Sequence, residues 1–322
     1  MSIHYFRFTL RDTVDRQRSR LLEGLLARAD AFRETRDWRA DAFRILAPQM
    51  SSVPGVGAVV LCSQRGGAGS DSERGDLEQG TSERGGTVRS GSVFMATPVH
   101  YVAEMSNVRL PADGVLSLER PEAEKLAADF NRVWSDAGLR LLIGRRADLF
   151  CVMDEPLQAD TRDPEDVLGR HIENHLPTGA GAPRLRQLMS EIEMWLFEHE
   201  VNRRRSAEAA PVVNGLWLWG GGAALPSLPP VEGWAAGDDP FFSAWAQPPS
   251  DATSGVAVIS ALPGTAEWRD RESNWLELTV RGLHSRRIAR LDLSAGRRVF
   301  SVSAASRWRV WRRRRPWWES FT

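Results

Sequence analysis

The chain has 322 residues, 42% hydrophobic and 26% charged, enough for one large domain or two smaller ones around a true core. Its formal net charge is zero, which excludes steering of the whole molecule toward nucleic acid or an anionic membrane, so any such affinity must be local and nucleic acid is not an expected partner. Two cysteines, Cys62 and Cys151, exclude a disulfide framework and a thiolate metal cluster.

The amino-terminal MSIHYFRFTLRD alternates apolar and polar residues where a secretory signal needs an unbroken apolar core. No run approaches the roughly 18 apolar residues of a membrane span, so no transmembrane segment and a cytoplasmic location are expected. Residues 3–10 read as a strand, and Leu21, Leu22, Leu25, Leu26, Ala29 and Phe32 then recur at helical spacing. A short helix is expected from Trp38 to Leu46 and a buried strand from Val56 to Leu61. Residues 63–92 are almost devoid of apolar side chains, the composition of a disordered loop insertion.

VFMATPVHYVAEMSNVRL predicts two strands. A helix opened by Pro121 and closed by Gly138 follows, with Leu126, Phe130, Val133 and Trp134 on its buried face. LRLLIG and LFCVMD read as a hairpin across the turn at 145–148. Leu185, Leu188, Met189, Ile192, Trp195, Leu196 and His199 fall at three- and four-residue steps, predicting one long amphipathic helix that ends in an imidazole. The proline-rich 225–251 is boundary composition. Beyond it a strand at 256–260, a helix carrying Trp268, Trp275, Leu278 and Leu283, a hairpin and a short helix SRWRVWRRRR form a small α+β unit. No repeat of 20 to 50 residues is visible, which argues against a solenoid.

Five constellations are candidates for chemistry. In HEVNRRR, His199 and Asn202 stand at i and i+3, and Glu198 and Asn202 at i and i+4, so the three converge near a helix carboxyl end. Arg203, Arg204 and Arg205 follow, and their forked donors suit a phosphate or carboxylate. The same residues serve equally as a core histidine, a capping asparagine and arginines that complement the helix dipole. VVNGLWLWGGG delivers a strand into Gly220, Gly221 and Gly222. A phosphate cradle there needs a helix to begin next, and AALPSLPP does not start one, so a tight turn or a close backbone approach is expected.

His171 and His175 stand four apart, the spacing of two metal ligands on a helix face, but no third ligand is near in sequence, and a surface pair at a helix end is the simpler reading. The tail RWRVWRRRRPWW interleaves Trp308, Trp311, Trp317 and Trp318 with arginines. It suits either a base-stacking or anionic-membrane surface or a short segment that seals a core with tryptophan. Asp238 and Asp239 before Pro240 read as turn formers rather than paired carboxylates.

ATPVHYVAEM, LGRHIENHLPTG, EIEMWLFEHEVNRRR and VVNGLWLWGGG, in this order, resemble blocks of the proteobacterial regulatory protein RpfE family. That family is itself similar to archaeal-type cofactor-independent phosphoglycerate mutases. The family form HPVN-x-x-R, P-x-N, LWLWGGG is matched at His199, Val201, Asn202, Arg205, Asn214, Trp217, Trp219 and Gly220 to Gly222. Glu200 stands where the pattern has proline, a change expected to let the helix run on.

The resemblance implies a mixed α/β fold with helices packed on a sheet, a remnant of the alkaline-phosphatase-like architecture. Its mutase-like region would span 1–234, followed by a linker and α+β unit over 235–322. It implies a ligand site at His199, Asn202, Arg205, Asn214 and Gly220 to Gly222, taking a phosphorylated three-carbon metabolite or a protein partner. The mutases carry two divalent metals on Asp and His groups. Neither RDTVDRQRS after the first strand nor the segment after Gly222, whose one histidine is His284, matches those blocks. The expectation is therefore a regulatory or binding pseudoenzyme without a cofactor. In the alternative, an active mutase or phosphatase using manganese, His199 would be the acid/base group. In a third reading the Arg/Trp tail mediates interactions.

Overall fold

The computed structural model describes residues 2–8, 18–30, 32–66, 91–259, 266–309 and 312–321. It divides into two compact units, Met1–Val53 with Pro229–Thr322, and Pro54–Leu228. The first unit opens with β1 (Ser2–Phe8), α1 (Arg20–Arg28), β2 (Arg33–Glu34) and α2 (Trp38–Leu46). Ser19 and Asp37 cap the two helices, their side chains accepting from Leu22 N and Ala40 N, as short polar residues do for amides that lack a helical partner.

The second unit runs through α3 (Val56–Gly66), β3 (Ser92–Val99), β4 (Val102–Ala103), β5 (Val108–Leu110), α4 (Arg120–Trp134), β6 (Leu139–Ile143) and β7 (Leu149–Met153). It continues with β8 (Arg170–His171), α5 (Ala182–Phe197), α6 (Glu200–Ala207) and β9 (Gly215–Ala223). The chain then re-enters the first unit with β10 (Trp234–Gly237), α7 (Pro240–Ser243), β11 (Gly255–Ile259) and α8 (Ala266–Arg271). A π-helical turn at Glu272–Leu276 leads to α9 (Glu277–His284), β12 (Ile288–Ala295), β13 (Arg298–Ser303) and α10 (Trp317–Phe321).

The first unit holds a six-stranded mixed sheet of order β10-β11-β1-β12-β13-β2. β10, β11, β1 and β12 run parallel, and β13 and β2 continue it antiparallel. The buried runs of β1 and β11 are what a parallel strand covered on both faces requires. Phe6, Phe8, Leu22, Leu25, Ile259, Trp268, Leu291, Leu293 and Trp317 belong to one buried cluster. The second unit holds an antiparallel sheet of order β6-β7-β3-β9 and a small three-stranded sheet β4-β5-β8. α3 packs on β3 and β9, α4 on β6 and α5 on β9. The molecule is thus a mixed α/β protein.

Several expectations change. The carboxyl-terminal α+β unit expected over 235–322 is not self-contained: β11 and β12 do not pair with each other, and β1 lies hydrogen-bonded between them. The amino-terminal strand therefore belongs with residues 229–322, and the boundary expected at 234 is replaced by two crossings near 53 and 229. Val56–Leu61 lies in a helix rather than a strand, because a short apolar run has no period that separates a buried helix from a buried strand. Of the expected insertion at 63–92, residues 67–90 lie outside the described residues. Its ends are ordered, residues 63–66 closing α3 and Ser92 opening β3.

Val133, expected in the core, is 55% exposed. The α4 helix is extended by a 3₁₀ turn, Ser135–Ala137, that ends with Gly138 at φ 73°, the left-handed conformation glycine adopts without penalty. In the tail only a 3₁₀ turn, Ala304–Trp308, and α10 form among the described residues. Trp317 is fully buried and Arg312 to Arg315 are exposed. Phe8 meets Trp317 and Phe321 edge-on at 5.8 and 5.1 Å, and the Arg309 and Arg312 guanidinium groups donate to the Arg28 and Ala29 carbonyls at the carboxyl end of α1. That is the sealing role. The side chains of Trp308 and Trp311 lie outside the described residues. No helix among the described residues is long and apolar enough to cross a membrane.

Candidate functional site

The HEVNRRR block sits at a break between two helices. The buried apolar stripe of α5 ends at Leu196 and the helix itself at Phe197, and His199 takes extended backbone angles (φ −68°, ψ 143°) to become the N-cap of α6, its Nδ1 accepting from Val201 N. The single long helix expected to end in His199 is therefore two. Glu200 occupies the first position of α6, where proline is well tolerated because that amide has no helical partner. The glutamate does not let α5 run on. It places a negative charge at the positive end of α6 and pairs with Lys125 at 3.1 Å. Glu198, exposed between the helices, takes no part in a cluster with Asn202.

Asn202 is 6% exposed and spends its amide on the chain. Nδ2 donates to Leu196 O at 2.8 Å and Val213 O at 2.7 Å, and Oδ1 accepts from Val213 N at 2.8 Å. One side chain thus ties the end of α5 to the segment entering β9. Asn214 does the same for the segment after β3, with Oδ1 accepting from Tyr101 N at 2.7 Å and Nδ2 donating to Tyr101 O at 2.9 Å. Arg205 is 9% exposed. Its Nε donates to Pro211 O, and one terminal nitrogen bridges both oxygens of Glu122 at 3.0 and 3.1 Å. Glu122 in turn accepts from Glu119 N at the start of α4. The predicted anion clamp is a buried ion pair joining α6 to α4.

His199 is the member with unspent capacity. Its Nε2 lies 3.3 Å from Asp129 Oδ2 but is not aligned as a hydrogen bond, and its ring packs 4.6 Å from that of Trp195. Burial holds its imidazolium below the ordinary range, and the Asp129 carboxylate opposes that shift. Lys125, the one lysine of the chain, contacts Asp129 at 3.3 Å. The arrangement is an imidazole and carboxylate pair with a cation behind it, roofed by Trp195, Trp134 and Phe130 at ring distances of 5.2 and 6.0 Å.

The three glycines form no tight turn; of the two expectations, the close approach is the one the structure shows. β9 runs straight through them, with Gly220 at φ 62° where the pairing with β3 shifts register. A Cβ on Gly220 would stand 2.6 Å from Val56 Cβ, one on Gly221 2.1 Å from the Phe94 ring, and one on Gly222 2.6 Å from Gly55 N. Glycine is required here so that the amino-terminal end of α3 and the Phe94 ring can approach the strand. Gly220 N donates to Thr161 Oγ1 at 2.9 Å.

His171 lies in β8, 3.1 Å from Glu104 Oε2, and His175 ends a 3₁₀ turn. They share no helix face, so the four-residue spacing has no geometric meaning as a ligand pair. Among the described residues no group of three or more His, Cys, Asp and Glu side chains is placed to hold a metal ion. The described residues do not fit a divalent metal centre. Asp239 caps α7, accepting from Phe241 N and Phe242 N, and accepts both Nε and one terminal nitrogen of Arg39, which makes it structural. Sequence reading missed Asp129, Lys125 and Glu122, whose signal was their four- and three-residue spacing along the polar side of a helix read only for its apolar face.

No family model matches the chain. Local similarity exists to 2,3-bisphosphoglycerate-independent phosphoglycerate mutase of Methanothrix thermoacetophila, 44% identical over 66 residues, 20% of this chain and 17% of that protein. A probable enzyme of the same description from Geobacter sulfurreducens is 44% identical over 61 residues, 19% of this chain and 15% of that protein. The matches thus span about a sixth of the length of these relatives. Overlay on cofactor-independent phosphoglycerate mutase from Thermoplasma acidophilum covers 94% of this chain and 89% of that one, with a TM-score of 0.34 and 16% identity. The chain is phosphoglycerate mutase-like over about a fifth of its length.

Proposed function

We propose that this chain is a non-catalytic binding or regulatory protein, akin to the RpfE family, in which the mutase-like segment has become a scaffold. One observation carries the reading: Asn202, Asn214, Arg205 and Gly220 to Gly222, the residues a ligand would use, spend their polar groups and open space on the chain itself. A buried guanidinium already neutralised by Glu122 offers an incoming phosphate little, because binding would first have to break a desolvated ion pair, a loss that in such settings reaches about 3 kcal/mol or more. What the scaffold presents, a phosphorylated three-carbon acid or a partner protein, is then recognised elsewhere on the molecule. The test is manganese-supplemented interconversion of 2- and 3-phosphoglycerate, with bound metal measured by elemental analysis and 3-phosphoglycerate binding by calorimetry. Absence of turnover is the expected result. Stoichiometric metal together with turnover overturns the proposal.

A second reading is favoured by His199. A buried imidazole with depressed basicity and an unaligned Nε2 beside Asp129 is neutral near pH 7 and competent as a general base. In that reading a retained mutase or phosphatase reaction uses His199 for proton transfer. His199→Gln keeps a polar side chain and removes the titrating group, so any activity detected must disappear in it.

A further inference from the structure

Helix α1 carries Arg20, Gly24 and Arg28 at four-residue steps, so the three share one face. Its opposite side buries Leu22 and Leu26. A solvent-open cleft of about 100 Å³ runs along the arginine face. Its apolar wall is built by Leu21, Leu25, Val280, Leu283 and Val302, and its polar rim by Arg20, Arg28, Arg314 and His284. No Asp or Glu lines it among the described residues.

The middle of the cleft is set by Gly24. A glycine at the centre of a nine-residue helix costs about 1 kcal/mol relative to alanine. Here it leaves a shallow site over which the Arg314 guanidinium lies, 3.5 Å from where a Cβ would stand. Arg20 and Arg28 flank that point from the two ends of the helix. None of the three guanidinium groups makes a hydrogen bond or ion pair among the described residues, in contrast to Arg309, which pairs with Asp30, and Arg18, which pairs with Glu23.

Three like charges drawn to one cleft repel one another, and a chain of zero net charge has no general surplus of cations that would place them there by default. We propose that this cleft is a binding site for a small phosphate monoester. The guanidinium forks match phosphate oxygens in geometry. A phosphomonoester carries between one and two negative charges near pH 7, which offsets more of the local charge than a single carboxylate. The leucine and valine wall receives a short apolar ester group, and the limited volume selects a metabolite-sized ligand. The site is separate from the HEVNRRR block, and the inference does not rest on whether that block retains catalysis.

Calorimetry on the full chain, at constant ionic strength set with sodium chloride, tests it with n-propyl phosphate, inorganic phosphate and n-propanol as probes. n-Propyl phosphate binds most tightly, inorganic phosphate more weakly and n-propanol not at all. Arg28→Gln and Arg314→Gln each weaken n-propyl phosphate binding by at least about tenfold, the scale of one lost charge-assisted hydrogen bond. Arg314 is exposed, so Arg314→Glu reverses a charge without disturbing the core, and it abolishes binding while leaving the circular dichroism spectrum unchanged. Absence of binding by either phosphate, or binding that survives Arg314→Glu, overturns the assignment. Equal affinity for n-propyl phosphate and inorganic phosphate overturns the role given to the apolar wall.

Discussion

Asn202→Ala separates a scaffold from a ligand site. The amide makes three hydrogen bonds of 2.7 to 2.8 Å, all buried, to Leu196 O, Val213 O and Val213 N. At about 1 kcal/mol net for each bond, truncation costs about 3 kcal/mol, and more if the freed backbone groups stay dry. In a protein of this size that lowers the melting temperature by about 6 to 12 °C. Asn202→Asp should be at least as harmful, because it turns a carboxylate toward two carbonyl oxygens that the amide nitrogen now reaches at 2.7 and 2.8 Å. The assay is urea and thermal unfolding followed by tryptophan fluorescence, beside calorimetry with 3-phosphoglycerate. A stability loss below about 0.5 kcal/mol, the range of an ordinary surface change, together with lost binding, would refute the scaffold argument.

Two glycines in helices should respond to alanine with opposite sign. At Gly24 an added Cβ meets the Arg314 guanidinium at 3.5 Å, an ordinary contact, so Gly24→Ala gains about 1 kcal/mol of helix propensity. At Gly57 it meets backbone atoms of β3 at 2.7 and 2.8 Å, so Gly57→Ala pushes α3 off the sheet and costs about 1 to 3 kcal/mol; equal shifts in urea midpoint for the two variants would contradict both. His4 is fully buried, with Nδ1 2.8 Å from Thr279 Oγ1 and Nε2 3.0 Å from Thr253 O, and burial lowers its pKa from 6.5 to about 4. Its contribution to stability is full above pH 6.5 and falls between there and pH 4, where the unfolded chain takes a proton the fold refuses, a total of about 3 kcal/mol. His4→Asn should flatten that slope in pH-dependent urea unfolding, and an unchanged slope would count against the assignment.

Local patterns with a strict period were legible in the sequence. The helix from Trp38 to Leu46, the 139–153 hairpin and the hairpin of β12 and β13 follow from spacing and turn residues. What spacing could not show was partnership across the chain. β1 inserts between β11 and β12, strands more than 240 residues away, and a strand pattern says which residues face inward but not which edge they join. Val56–Leu61 was ambiguous for a related reason, since all-round burial erases the period that distinguishes a helix from a strand.

The HEVNRRR block reads two ways in the sequence for a physical cause that also explains its composition. Residues that hold a backbone break together and residues that grip a ligand come from the same chemical set, because both tasks need amides, guanidinium groups and glycines with good hydrogen-bond geometry. What distinguishes them is whether their capacity is already spent. Around HEVNRRR it is spent, though not at His199, whose Nε2 makes no aligned hydrogen bond: Asn202 on Leu196 and Val213, Arg205 on Glu122 and Pro211, Asn214 on Tyr101. Along α1 it is not, since Arg20, Arg28 and Arg314 border an open cleft without carboxylate partners among the described residues. A motif of shared residues points to a shared local structure first. Binding capacity follows the unspent groups, which among the described residues include His199 Nε2 and the guanidinium groups that line the α1 cleft.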